Sequence, residues 1–286
     1  METTSHNTIE ASGTNLSSIE LRRPELWTLA LAIHAHKIDF LIYCDEEAES
    51  RKWGSVPLDV QSAGSPLKAI EDVVYDNPVL LSPLKKVSVL IHSEQFMLMP
   101  AAVGNDDESA LTMMETLYGD DHEYCFAPVG NTGSTIGFAT PEGVQAFLQR
   151  TFGNPTISHA IAPLCAYEHS RLQPLQLPRM VLAFEGNKMH ACAFRQQNLV
   201  LANSFTVRSA SDAVYFAMHL WQNLGMDVMN HELHLAGDKA MREAVAPLLR
   251  KYINYVMPII FPAAALRLGK DSLKAPLNLV MLALCE

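Results

Sequence analysis

The sequence has 286 residues, of which 49% are hydrophobic and 18% charged, and its net charge is −10. A chain of this kind can bury a substantial core and is expected to form about two domains. The acidic balance disfavours broad binding to nucleic acid, which relies on clustered lysine and arginine. No apolar run approaches the roughly 20 residues that span a bilayer. The polar start also lacks the pattern of a signal peptide, which predicts a cytoplasmic protein without a membrane span.

Residues 1–20 contain few large apolar side chains and are predicted to form a disordered tail. The five cysteines are widely scattered and include no Cys-x-x-Cys pair. We therefore interpret them as buried thiols and not as zinc or redox ligands.

The first half of the chain has the order strand, strand, strand, helix, strand. The evidence is a series of apolar runs separated by turn residues, followed by a helical pattern that Ser65 can cap. The predicted elements are strands over Leu26–Ile33, Ile38–Tyr43 and Ser55–Val60, a helix that begins at Pro66, and a strand over Lys86–Ile91.

The same order returns in the second half. Continuous apolar runs predict strands, and a periodic segment that ends in glycine predicts a helix. The predicted elements are strands over Met180–Phe184, Met189–Phe194 and Leu199–Val207, a helix over Ser211–Gly225, and a strand over Glu232–Gly237.

The two halves also match residue by residue. Ala32–Tyr43 aligns with Ala183–Phe194 without a gap and places Lys37 on Lys188, and Val87–His92 aligns with Glu232–Gly237. A repeat longer than a solenoid unit predicts two similar domains that face each other across a cleft.

Additional material separates the two copies. Residues from about 93 to 155 are predicted to be an insertion in the first domain, with a helix over Asn105–Tyr118 and a hairpin over Glu123–Thr140. A second helix is predicted to begin at Pro141 with Thr140 as its cap, followed by a strand over Thr156–Pro163.

The segment Leu172–Pro178 contains two prolines and is predicted to be the domain boundary. The expected first domain is residues 21–174 and the second is residues 175–286. At the end of the chain a helix is predicted over Lys239–Tyr252 and a strand over Tyr255–Pro262, while Leu277–Cys285 fits either a strand or a packed helix.

This duplicated order, with a long insertion in the first copy, resembles the superfamily of actin, sugar kinases and chaperone ATPases. The resemblance implies an α/β fold of two ribonuclease-H-like (actin-like ATPase) domains, each with a mixed sheet, around a nucleotide cleft. More narrowly, the passage Asp212–Asp238 resembles an uncharacterised bacterial family of actin-like ATPase fold, similar in form to pilus-assembly and secretion adaptors.

The resemblance can be compared with the residues that the superfamily uses to bind Mg²⁺ and phosphate. The expected aspartates fall on Ala32 and Ala183, and the glycines that follow them fall on His34 and Glu185. Alanine cannot position Mg²⁺, and a glutamate repels phosphate when no metal intervenes. The motif beside the adenine survives only as Ala236–Asp238. ATP hydrolysis is therefore not expected.

The leading hypothesis is a non-catalytic adaptor that binds a protein partner. It assigns no catalytic residue, metal ligand or cofactor. The alternative is a nucleotide-binding switch or weak ATPase, with Mg-ATP bound through Glu185, Asp39 or Asp238 in place of the missing acids. A nuclease is disfavoured because no cluster of acids lies on the strands. The candidate cleft residues are His34, Lys37, Glu185, Gly186, Lys188, Gly237 and Asp238.

Other patterns have simpler interpretations. The pairs His34/His36 and His231/His234 lack zinc-motif spacing, so turn or strand-surface positions are favoured. The segment Gly130–Gly137 lacks the spacing of a phosphate-binding loop and is interpreted as a turn. Cys165, although near two histidines in sequence, is interpreted as a packing residue. The acidic loop at 45–49 is interpreted as solvated, with partner docking as the alternative.

Overall fold

The computed structural model describes residues 14–47, 50–172, 177–259 and 275–285. The strands are β1 (Trp27–Ile33), β2 (Lys37–Cys44), β3 (Lys52–Pro57), β4 (Lys86–Ile91), β5 (Phe96–Pro100), β6 (Glu123–Pro128), β7 (Ser134–Thr140), β8 (Thr156–His159), β9 (Arg179–Glu185), β10 (Lys188–Arg195), β11 (Asn198–Thr206), β12 (Glu232–Gly237) and β13 (Tyr255–Pro258). The helices are α1 (Val60–Ala63), α2 (Pro66–Asp76), α3 (Ala101–Gly104), α4 (Asp107–Tyr118), α5 (Val144–Phe152), α6 (Ala162–Ser170), α7 (Ala210–Asn223), α8 (Lys239–Leu249) and α9 (Leu277–Cys285).

Two five-stranded sheets have the same topology. Their strand orders are β3-β2-β1-β4-β8 and β11-β10-β9-β12-β13. In each sheet the first three strands of the sequence pair antiparallel, and the later two lie parallel to the first. The predicted mixed sheets and the order strand, strand, strand, helix, strand are thus confirmed in both halves.

The first sheet is buried on both faces, because its central strands are continuous apolar runs. The large residues of β1, including Leu29 and Leu31, belong to the core that α2 covers through Ile70. The small residues Ala30 and Ala32 face the opposite side, where Leu279 of α9 packs on them. Alternation of large and small side chains in β1 therefore lets α9 approach the sheet closely.

The second sheet is also covered on both faces. One face packs against Trp221 of α7 and Val245 of α8. The other face carries Val181 and Ala183 and joins the core cluster of the first half. Helix α6 contacts α9, β10 and β11. The helices α6 and α9 thus lie between the two sheets.

A smaller sheet, β5-β7-β6, lies in the sequence between β4 and β8. Its own core includes Met99, together with Ala110 and Met114 of α4. The helix and hairpin predicted for this segment are confirmed.

Several predicted bounds were wrong. The third strand is Lys52–Pro57 because these residues pair with β2, and Asp59 then caps the short helix α1. Thr140 does not cap a helix; it is held extended by pairing with Glu123, and α5 begins at Val144. The strand β8 ends at His159, after which the chain turns into helix α6.

Other predictions can be placed only in part. The segment Leu277–Cys285 is a helix, which decides between the two alternatives left by the sequence. Leu16 and Ile19, in the stretch predicted as a tail, are buried in the core. Residues 1–13, most of the predicted linker (173–176) and the end of the predicted last strand (260–262) lie outside the described residues.

Candidate functional site

The candidate site lies where the ends of three strands from the two sheets meet. In the first half, β1 and β4 are parallel and Ile33 lies opposite Ile91. The residues that follow, His34 and His92, are therefore neighbours at the same sheet edge, and their rings stack with centroids 3.7 Å apart. In the second half, β9 ends at Glu185.

These three side chains converge. Potential ligand atoms of His34, His92 and Glu185 all lie within 4.8 Å of one another. His190, on β10, borders the group: its Nε2 lies 3.7 Å from Glu185 Oε2, and its Nδ1 lies 2.7 Å from Ser204 Oγ. A cluster rich in imidazole thus connects the two halves of the molecule.

A buried carboxylate supports His34 from the side of the hairpin. Asp39 is only 2% exposed, and its Oδ2 lies 2.7 Å from Lys37 Nζ and 2.9 Å from His34 Nε2. Burial alone would raise the pKa of Asp39, but the contacts with His34, Lys37 and Ser55 outweigh it and lower the pKa to about 2. The His34 Nε2 atom is itself buried and finds no well-directed hydrogen bond among the described residues.

His92 is held by helix α9. Its Nε2 lies 2.9 Å from Asn278 Nδ2, while Asn278 Oδ1 accepts a hydrogen bond from Leu279 N at 2.8 Å. Burial, and next the neighbouring His34, lowers the pKa of His92 to about 3. His92 is therefore a neutral imidazole near pH 7, the form in which histidine binds metals.

Glu185 brings negative charge to the cluster. Burial would raise its pKa, but the contacts with His190, His92 and His34 outweigh this effect and lower it. The carboxylate is therefore ionised at neutral pH, and it faces imidazoles from both halves.

The remaining predicted cleft residues have separate partners. Lys188 forms an ion pair with Glu94, which links the second half to the first, and it donates to Thr206 Oγ1 at 2.8 Å. Asp238 caps α8 by accepting hydrogen bonds from the backbone of Ala240 and Met241. The structure thus brings His34 and Glu185 together, while Lys188 and Asp238 serve other contacts.

Gly237 and Gly186 lie at the rim of the second half, both with positive φ. A Cβ atom on Gly237 would lie 2.0 Å from the carbonyl oxygen of Phe184, so β12 could not pack on β9 there. Gly186 has open space at the same position.

Two open cavities flank the cluster. One, of about 330 Å³, is lined by His34, His92 and His122 together with residues of the smaller sheet. The other, of about 460 Å³, is lined by Glu185, Arg242 and the segments that contain the two glycines. Between the halves a gap of only about 10 Å³ remains beside Ala183. The cluster is therefore accessible from open space.

The other sequence patterns form no second cluster of this kind in the described ranges. His36 is exposed on its turn, and His234 pairs with Glu232 at 3.2 Å. His159 is buried, with Nε2 2.9 Å from Ser93 O, and Cys165 is fully buried. Within the part of the chain that the structure describes, three side chains able to hold one metal ion come together only in the cluster of His34, His92 and Glu185.

Sequence reasoning missed His92, His190 and Asn278. The aligned repeat held a signal for His92, because it occupies the position that Gly237 has in the second copy. If β1 and β4 are parallel neighbours, the residues after both strands must meet at one edge. The contact with Asn278 had no such signal, because it depends on where α9 packs.

A family model described as a protein of unknown function, DUF3822, matches residues 17–256. The chain belongs to this family. A search of the curated proteins found no match for this DUF3822 protein. Among the residues that the structure describes, no helix is both long and apolar enough to cross a bilayer.

Solved structures show which fold the DUF3822 protein has. It is similar to a protein of Bacteroides thetaiotaomicron VPI-5482 with an actin-like ATPase fold and unknown function, with a TM-score of 0.75 and 19% identity over 92% of this chain and 97% of that one. It is also similar to a chain of the PilM-PilN type IV pilus biogenesis complex, with a TM-score of 0.51 and 13% identity over 92% and 98%. The predicted actin-like ATPase fold is confirmed.

Proposed function

We propose that this DUF3822 protein is a non-catalytic actin-like protein that acts as an assembly adaptor by binding a protein partner. The observation that carries the proposal is the set of side chains that meet between the two halves, His34, His92 and Glu185. Mg²⁺ prefers oxygen ligands in near-octahedral geometry, several of them water. Here the converging groups are two imidazoles and one carboxylate, which do not fit a Mg-ATP site.

The acids near the cleft support the same proposal. Asp39 is bound by Lys37 and His34, and Asp238 is bound by backbone N–H groups at the start of α8. Ala32 and Ala183 are buried, the first in the same apolar cluster as Leu279 of α9. Each residue thus has a structural role that does not involve phosphate.

The similarity to a chain of the PilM-PilN complex supports the adaptor role, since that structure is an assembly of two proteins in pilus biogenesis. For the present chain this is a proposal about a class of function, and it names no partner. The predicted domains at 21–174 and 175–286 and the cytoplasmic location belong to the same proposal.

An exposed apolar patch gives the partner a place to bind. We define it by Val228, Met229, Tyr252 and Tyr255, all of which are exposed. The two segments that carry these residues, 228–229 and 252–255, are adjacent, because Asn254 N donates to Val228 O at 3.0 Å. Contiguous exposed apolar patches mark interaction sites more often than single exposed residues do.

Site-specific photo-crosslinking tests the partner. A crosslinking residue at Met229 or Tyr252 is expected to capture the same discrete protein in cells. Tyr215, which is exposed on α7, provides the matched control and should not capture that protein. Capture of the same set of proteins at all three positions, or of none, would contradict binding at this patch.

An assay of ATP hydrolysis tests the catalytic part of the proposal. The purified protein with Mg-ATP is expected to release phosphate no faster than the same protein after heat denaturation. Mg²⁺-dependent turnover that the variant Glu185→Gln abolishes would overturn the proposal and establish an ATPase.

A nucleotide-binding switch is the second candidate, and the 460 Å³ cavity is the observation that favours it. The cavity is lined by Glu185, Gly186, Gly237, Asp238 and Arg242, near the position of the superfamily's adenine motif. This alternative predicts saturable ATP or ADP binding that Glu185→Ala removes while the protein remains folded. Binding that the substitution leaves unchanged counts against it.

A further inference from the structure

We propose that His34, His92 and Glu185 form a binding site for a divalent transition-metal ion, with zinc as the best match, that links the two halves of the protein. His34 and His92 directly follow strands β1 and β4 of the first sheet, and Glu185 is the last residue of β9 in the second. This site does not depend on the proposed adaptor role.

The donor set determines the class of metal. Two histidines and one glutamate form a set that zinc uses with three protein ligands, leaving a fourth position for water. Imidazole also suits copper, nickel and iron, whereas Mg²⁺ and Ca²⁺ prefer oxygen. The cluster therefore selects against the ion that accompanies ATP.

The distances are close to those that a single ion requires. Ligand atoms around one tetrahedral zinc lie roughly 3.3 Å apart, given bonds of about 2.0–2.1 Å. The candidate atoms lie within 4.8 Å of one another. Side-chain movements of about an ångström would bring them close to the tetrahedral spacing.

Neighbouring groups contact two of the three candidates. Asn278 Nδ2 donates to His92 Nε2 at 2.9 Å, a hydrogen bond that a metal ion on this nitrogen would replace. Asp39 lies 2.9 Å from His34 Nε2, as an outer-shell carboxylate lies beside a metal-bound histidine. That nitrogen is buried without a well-directed hydrogen bond. Metal binding would satisfy this nitrogen in one of two ways. Either Nε2 itself coordinates the ion, or the ring turns so that the other nitrogen coordinates it while Nε2 donates to Asp39.

The surroundings allow an ion to enter and compensate its charge. His34 and His92 line the open 330 Å³ cavity, and Glu185 lines the open 460 Å³ cavity. The carboxylate of Glu185 provides a negative charge within the group, and Asp39, which is also paired with Lys37, lies beside His34.

Titration calorimetry with ZnCl₂ alone, after removal of metals by chelation, tests the site. One zinc per chain is expected, and Glu185→Gln and His34→Asn should each weaken binding at least ~10-fold, since even outer-shell changes cost about that much. The control His36→Asn, on the same turn but exposed, should change affinity less than about twofold on the same scale. MgCl₂ should show no saturable binding.

Hydrogen exchange tests the link between the halves. Zinc is expected to slow exchange in both the β1–β2 and β9–β10 hairpins of the wild type, and in neither hairpin of folded Glu185→Gln. Protection confined to the first half, unchanged zinc affinity in both variants, or no saturable zinc binding would each overturn the proposal. Circular dichroism of each variant distinguishes lost binding from lost folding.

Discussion

At the rim of the cleft, both the backbone conformation and the close approach of Phe184 require a glycine at position 237. Its φ of +78° lies in the left-handed region, and a Cβ atom would meet backbone atoms of Phe184, which cannot move aside as a flexible side chain can. The neighbouring Gly186 shares the positive φ but has no atom within 4 Å of a built Cβ. Substitutions at these two glycines therefore distinguish the energetic cost of conformational strain from that of steric overlap.

We predict that Gly237→Ala lowers the free energy of unfolding by more than ~2 kcal/mol, because strain and overlap both act. Gly186→Ala is expected to cost only about 1 kcal/mol, from strain alone. Urea denaturation at constant pH measures both values. Equal costs for the two variants would show that the overlap at Gly237 is relieved by a backbone shift.

His159 is buried in the folded protein, and burial disfavours its protonated form. Burial lowers its pKa to about 3, and the hydrogen bond to the Ser93 carbonyl offsets only part of this effect. The folded pKa is thus below the ordinary value of about 6.5. Below pH 6.5 the unfolded chain binds a proton at this histidine that the folded chain does not bind. The contribution of His159 to the free energy of unfolding is therefore complete above pH 6.5 and is lost as the pH falls towards 3.

We predict that His159→Asn makes the free energy of unfolding less dependent on pH. Between pH 5.5 and 4.5, the wild type should lose about 1.4 kcal/mol more than the variant, which corresponds to one proton per molecule. Urea denaturation at both pH values checks this. The exposed His36→Asn serves as control and should keep the wild-type slope; an unchanged slope in His159→Asn would contradict the prediction.

At the scale of elements, α9 connects the core to the candidate site. Leu279 is fully buried against the alanine face of β1, and the adjacent Asn278 holds His92. The sequence could not show this, because an apolar run of nine residues fits a strand or a helix equally well. Its helical structure and its position between the sheets depend on packing against α6 and β1.

We predict that Leu279→Ala destabilises the protein by 2–5 kcal/mol, as removal of a fully buried leucine side chain does in other cores. Leu282→Ala, on the same helix but partly exposed, should cost less than half as much. Thermal or urea denaturation of both variants checks the difference. Similar costs would mean that α9 is not anchored through Leu279.

Some elements could be predicted from the sequence alone, whereas others could not. The strands β1 and β9 are continuous apolar runs, which identify buried strands without tertiary information. The strand β3 was misplaced because its first residues, Lys52–Gly54, have no strong strand pattern and are held only by pairing with β2. Thr140 has the chemistry of a cap, but the β6–β7 ladder determines its conformation.

At the scale of the whole molecule, two similar sheets enclose α6 and α9, and polar contacts join the halves at the base of the cleft. These contacts include the ion pair between Lys188 and Glu94 and the cluster around His92. The aligned repeat predicted the two sheets and the position of Glu185. It did not predict that imidazoles from separate strands would stack, since that depends on the register between β1 and β4.

We propose that the cleft of this actin-like fold does not bind Mg-ATP. Thermal melting of the pure, metal-free protein with excess Mg-ATP or Mg-ADP tests it most directly. A ligand that binds only the folded state adds about 2.7 kcal/mol of stability at one hundred times its dissociation constant. We predict no shift of the melting temperature with either nucleotide. A clear upward shift that Glu185→Ala removes would contradict the claim and establish the cleft as a nucleotide site.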